Sequence, residues 1–169
     1  MGAALMHPRR LQEFDYVGAQ AYFLTICTDH RREKFRDAAV AAAVRDQLLR
    51  TAGAYGFEIT AYCFMPDHLH SLVTAIRDDS DFKKFVAMFK QRSGFDHRRA
   101  TGDHLWQENY YEHVLRSEEA LPAVVGYVLG NPWRAGLVKN CADYPFMGSA
   151  KYTVEMLGDF IQVRALPWE

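Results

Sequence analysis

Phe57-Glu58-Ile59-Thr60-Ala61-Tyr62-Cys63-Phe64, then Met65-Pro66-Asp67, then His68-Leu69-His70-Ser71-Leu72-Val73-Thr74-Ala75 decide the fold. The first run alternates and is rich in β-branched and aromatic residues, the middle three read as a turn, and the last eight as a second strand, so the stretch predicts a β-hairpin. Upstream, Ala21 to Thr28 (AYFLTICT) reads as another strand, followed by the charged turn Asp29-His30-Arg31-Arg32-Glu33. Ala38 to Ala54 carries apolar residues at helical spacing and is punctuated by Gly53 and Gly56. Downstream, Asp78-Asp79-Ser80-Asp81 offers caps for a helix over about Phe82 to Phe95, with Phe82, Phe85, Val86 and Phe89 on one stripe. Trp106 to Leu115 reads as a fourth strand. Ser117-Glu118-Glu119 then caps a last helix, with Pro122 near its start, running to about Gly130 and halted by Asn131-Pro132. The order β-α-β-β-α-β plus a helix predicts an α+β, ferredoxin-like split βαβ fold with an antiparallel sheet. We divide the chain into an N-terminal arm (1–20), a domain with its last helix (21–131) and an extension (132–169) that packs on the domain or against a partner.

With 169 residues, 49% hydrophobic and 24% charged, the chain has apolar surface enough for one core and is neither disordered nor fibrous. Twenty Lys and Arg against 21 Asp and Glu leave a formal charge of −1, so nucleic-acid binding needs a local basic surface. Three cysteines, none in a C-x-x-C pair, exclude a disulfide framework or a thiolate zinc site. The first residues show no secretory pattern and no stretch is apolar enough to span a bilayer. We therefore expect a cytoplasmic protein.

His68 and His70 lie two apart on a strand, so both imidazoles face one side, roughly 7 Å apart by strand geometry. They are half of a divalent-metal site, or two solvent-facing histidines on a half-exposed strand. Tyr127 and Asn131 are four apart on the last helix and share one face. Either they project together as a phenol and an amide, or they are a buried tyrosine and a helix C-cap. Tyr22 and Tyr62 read as sheet residues, whereas Tyr110 and Tyr111 beside Trp106 can stack on bases. From Arg77 to Arg99 there are seven Lys/Arg against four Asp, a local +3. Lys83 and Lys84 fit a solvated helix face; Lys90, Arg92, Arg98 and Arg99 cluster near the helix end and are the better phosphate contacts. A second cluster, Arg31-Arg32-Lys34-Arg36, is interleaved with acids and ranks lower.

Three stretches together resemble the single-tyrosine HUH transposases, and more narrowly the REP-associated tyrosine transposases: Phe64-Met65-Pro66-Asp67-His68-Leu69-His70, Trp106-Gln107-Glu108-Asn109-Tyr110-Tyr111, and Gly126-Tyr127-Val128-Leu129-Gly130-Asn131-Pro132-Trp133-Arg134-Ala135-Gly136-Leu137-Val138. The likeness covers about residues 8–150. It implies that His68 and His70 are metal ligands, that Asn131 completes the metal shell, and that Tyr127 is the nucleophile. The family's usual M-P-N-H is here M-P-D-H, which places Asp67 where it can alter hydrogen bonding near the ligands. Imidazole and amide ligands with no thiolate suit Mg²⁺ or Mn²⁺. His113 is a weaker candidate for a further ligand or a phosphate contact.

The function implied is a single-stranded DNA transposase and endonuclease that cleaves and rejoins DNA beside a REP-like hairpin through a covalent 5′-phosphotyrosine, without a nucleotide cofactor and near the nucleoid. DNA contacts are expected at Lys90, Arg92, Arg98, Arg99, Tyr110 and Tyr111. The alternatives are a non-cleaving hairpin-binding protein and a metal-dependent phosphoester hydrolase. Monomer and homodimer both stay open.

Overall fold

The computed structural model describes residues 14–116 and 121–168. Five strands form one antiparallel sheet: β1 (Ala21–Cys27), β2 (Phe57–Met65), β3 (His68–Ala75), β4 (Tyr111–Leu115) and β5 (Met147–Ser149), in the order β4-β1-β3-β2-β5. The first four strands in the order 4-1-3-2 are the split βαβ arrangement expected from the sequence, and β5 extends the sheet beyond β2. Pro66 and Asp67 make the hairpin turn between β2 and β3.

Strand alternation sends alternate residues to two cores. On one face Leu24, Ile26, Phe64, Leu69 and Val73 pack against α1 (Ala38–Ala54) and α2 (Phe82–Thr101), which offers Phe82, Phe85, Val86 and Phe89. On the other, Phe23, Ala61, Cys63 and Leu72 pack against α3 (Leu121–Arg134) and the C-terminal residues Leu157, Ile161 and Leu166. Asp37 caps α1, its carboxylate accepting from the Ala39 amide, and Asp81 caps α2 through the Lys84 amide. Of the 1–20 arm, the described part lies against the start of α2, where Tyr16 is buried and stacked near Phe82. The Ser117-Glu118-Glu119 cap lies outside the described residues.

Three boundaries differ from the sequence reading. Helix α2 runs beyond Phe95 to Thr101 and stops at Gly102, whose φ of 77° takes the left-handed conformation of a helix C-cap. Strand β4 starts at Tyr111 instead of Trp106, because Trp106 leaves the sheet after one bridge to Thr28 and donates its indole N–H to Ser93 Oγ on α2 (2.9 Å). Helix α3 passes through Asn131-Pro132 to Arg134. A proline in the last turn removes a single backbone bond, and the stop is Gly136 (φ 71°): its N–H donates to the Trp133 carbonyl and that of Leu137 to the Pro132 carbonyl, a Schellman motif.

Candidate active site

Antiparallel register places Thr25 of β1 between His70 of β3 and Tyr111 of β4, all three on the face that carries α3. His68 and His70 lean toward each other until their ring centres are 4.6 Å apart and their Nε2 atoms 3.1 Å apart, closer than the strand spacing alone suggests. Each Nδ1 is engaged from behind: that of His68 by Asp67 Oδ1 at 2.6 Å, that of His70 by the Thr25 hydroxyl at 2.8 Å. Burial, reinforced by the charges of His68, Arg134 and Arg31, holds the His70 imidazole well below its ordinary pKa of 6.5 and so neutral at pH 7. Two imidazoles with tethered Nδ1 atoms and converging Nε2 atoms are suited to grip one cation.

The turn that carries Asp67 is itself braced. Arg31 Nε lies 2.9 Å from Asp67 Oδ2, the Thr28 N–H donates to the Asp67 carbonyl at 2.9 Å, and the Thr28 hydroxyl sits between the carbonyls of Arg32 (2.7 Å) and Asp67 (2.9 Å). The hydrogen bond to His68 holds the Asp67 carboxyl below its usual range, aided by the charges of His68 and Arg31 against an opposing effect of burial.

Helix α3 brings Tyr127 to the pair, its ring centre 6.1 Å from that of His70 and 6.1 Å from that of Phe23. Asn131 follows one turn later; its amide nitrogen donates to the Tyr127 carbonyl (3.1 Å), and its Oδ1 takes no hydrogen bond among the described residues. Arg134, which the sequence reading left without a role, lies with its guanidinium carbon 4.3 Å from the Tyr127 ring centre. It donates to the carbonyls of Tyr127 and Val163, the latter at 2.8 Å. His113 shares this face of the sheet but stacks on Trp168, with ring centres 3.8 Å apart. Among the described residues no three His, Cys, Asp or Glu side chains cluster as metal ligands, so a third protein ligand at the histidine pair would have to be of another type, as the Asn131 amide is.

The DNA-contact candidates divide between the two faces. Tyr111 lies with Phe23 on the side of the histidines, whereas Tyr110 lies near Phe82 and Lys90 on the side of α2. Lys90 donates to the carbonyls of Gln107 (2.9 Å) and Glu108. Arg92, Arg98 and Arg99 are exposed along α2. The second cluster is consumed internally, with Arg31 on Asp67, Arg32 and Lys34 on Asp103, and Arg36 on Glu33. No helix among the described residues is long and apolar enough to cross a membrane.

An antiparallel sheet presenting a histidine pair, with a helix laying a tyrosine beside it, matches known proteins over most of its length. The family model described as IS200-like transposase matches residues 16–131. A curated relative, the REP-associated tyrosine transposase of Escherichia coli K12, is 26% identical over 151 residues, covering 85% of this chain and 88% of its own. A solved REP-associated tyrosine transposase bound to a REP hairpin superposes with a TM-score of 0.69 at 26% identity, over 85% of this chain and 82% of that one. A candidate transposase from Deinococcus radiodurans R1 superposes with a TM-score of 0.51 at 27% identity, over 71% and 95% of the two chains. The chain belongs to the IS200-like transposase family.

Proposed function

We propose that the protein cleaves and rejoins single-stranded DNA beside a REP-like hairpin, with Tyr127 as nucleophile. The observation that carries this reading is the convergence of the His68 and His70 Nε2 atoms, 3.1 Å apart, next to the Tyr127 ring. Relatives named as tyrosine transposases, one of them solved on a REP hairpin, support the DNA substrate.

His68 and His70 would hold the cation with Asn131 Oδ1, and a donor set without thiolate suits Mg²⁺ or Mn²⁺. The cation supplies charge stabilisation at the phosphate, which a phenol of ordinary pKa about 10 needs at neutral pH. Tyr127 Oη forms the bond to phosphorus as the P–O3′ bond breaks; the phenolic proton leaves to solvent and the 3′ oxygen takes one up. The products are a 5′-phosphotyrosine and a free 3′-hydroxyl. The ester stores the bond for attack by another 3′-hydroxyl, so no nucleotide triphosphate is consumed. Asp67 and Thr25 orient the imidazoles, while Arg134 fixes the helical turn that presents Tyr127. Lys90, Arg92, Arg98, Arg99, Tyr110 and Tyr111 form the proposed DNA contacts, and nucleoid association belongs to the same reading.

The test is incubation with single-stranded oligonucleotides from the DNA flanking the gene, with Mn²⁺ or Mg²⁺, followed by a denaturing gel and peptide mapping. Tyr127→Phe should abolish the covalent adduct and leave hairpin affinity within about twofold of wild type. An adduct that survives the substitution, or tight binding by the wild type with no adduct in either metal, defeats the nucleophile assignment.

A further inference from the structure

The carboxyl-terminal half of α2 and the segment leading into β4 enclose an open cavity of about 450 Å³ on the sheet face opposite Tyr127. Phe95 stands at this cavity with 61% of its surface exposed, an apolar ring left in water. Arg98 lines the same cavity one turn along α2, and the guanidinium of Arg99 lies 5.9 Å from the Phe95 ring centre. The opposite wall is fixed in place: Trp106 donates to Ser93 of α2, and Lys90 reaches across to the Gln107 and Glu108 carbonyls. An exposed ring flanked by guanidinium groups offers a nucleotide a stacking surface for its base and charge for its phosphate. A space of this size accommodates a small ligand, not merely an ion.

The cavity wall is tied to the end of β1 that lies beside His68. The Gln107 N–H donates to the Cys27 carbonyl (3.1 Å) and the Asp29 N–H to the Leu105 carbonyl (2.9 Å), and Cys27 is the register partner of His68. The cavity wall and the histidine pair therefore meet at the same end of β1, on opposite faces of the sheet. We propose that this cavity is a subsite for one unpaired nucleotide of the single-stranded flank, its base stacked on Phe95 and its phosphate held by Arg98. The inference rests on the DNA-processing reading and adds to it a place where the unpaired strand is gripped away from the site of chemistry.

The experiment compares two probes by fluorescence anisotropy: a blunt hairpin from the inverted repeats beside the gene, and the same hairpin with a short unpaired flank carrying 2-aminopurine. Wild type should bind the flanked probe more tightly and quench its 2-aminopurine. Phe95→Ala should weaken the flanked probe by about tenfold, the scale of one lost base stack, remove the quenching, and leave the blunt hairpin unchanged; Phe95→Trp should retain both. Equal affinity of wild type and Phe95→Ala for the flanked probe, or an equal loss on both probes, overturns the subsite while leaving hairpin binding intact. A wild-type protein that binds neither probe removes the DNA reading and the subsite with it.

Discussion

At the scale of single residues, Asp67 sets the orientation of His68. Its carboxylate takes the Nδ1 side of the ring and is held in turn by Arg31, so the Nε2 lone pair of His68 points away from the turn toward His70. A carboxylate behind a ligating imidazole fixes its tautomer and raises its basicity, and losing such a partner typically costs 10- to 100-fold in metal affinity. Asp67→Ala should weaken Mn²⁺ binding by about that factor in a calorimetric titration. Asp67→Asn should cost less, because an amide oxygen still accepts from Nδ1–H. Equal Mn²⁺ affinity in wild type and Asp67→Ala would remove the orienting role. The H-x-H spacing made the shared face of the two histidines legible in the sequence, since alternation along a strand is local. Thr25 was not legible as the partner of His70, because that contact depends on the register of two strands 45 residues apart.

The element that organises the site is α3, and its packing follows from two glycines. A Cβ on Gly126 would collide with the backbone carbonyl of Phe160, and one on Gly130 with that of Ile161, so the helix admits the C-terminal segment only where side chains are absent. Arg134 closes the same contact by donating to the Val163 carbonyl while lying over the Tyr127 ring. The helix that presents the tyrosine and the last part of the chain thus form one packed unit. Gly126→Ala forces backbone apart in a well-packed core, which typically costs about 1–3 kcal/mol, and should appear as a lower thermal midpoint with the far-ultraviolet spectrum retained. A midpoint equal to wild type would mean that the segment yields without cost. The sequence showed this helix but misplaced its end, because Pro132 looked like the breaker when Gly136 is the terminator. It likewise ended α2 at about Phe95, soon after the last stripe residue Phe89, although the polar turns to Thr101 continue as a solvent-facing helix. Apolar periodicity marks the part of a helix that touches a core, and caps mark its ends.

For the molecule as a whole, charge pairing matters more than charge count. The chain carries a net −1; acids interleave the Arg31–Arg36 cluster in the sequence, and the fold pairs the two basic clusters differently. Arg31, Arg32, Lys34 and Arg36 all face carboxylates. In the α2 cluster Arg77 pairs with Asp79, Lys84 with Asp81, and Lys83 lies over the Tyr16 ring at 4.4 Å, while Arg92 and Arg98 make no ion pair among the described residues. Cations already neutralised by protein carboxylates release few counterions on meeting DNA, whereas unpaired ones release about 0.7 per phosphate of single strand. The logarithm of hairpin-DNA affinity plotted against the logarithm of salt concentration should therefore flatten by about 0.7 to 0.9 for each of Arg92→Ala and Arg98→Ala, for single-stranded and duplex contacts respectively. Arg36→Ala, whose partner is Glu33, should leave that slope unchanged. Equal slopes for wild type and the α2 variants would move the DNA path off this helix.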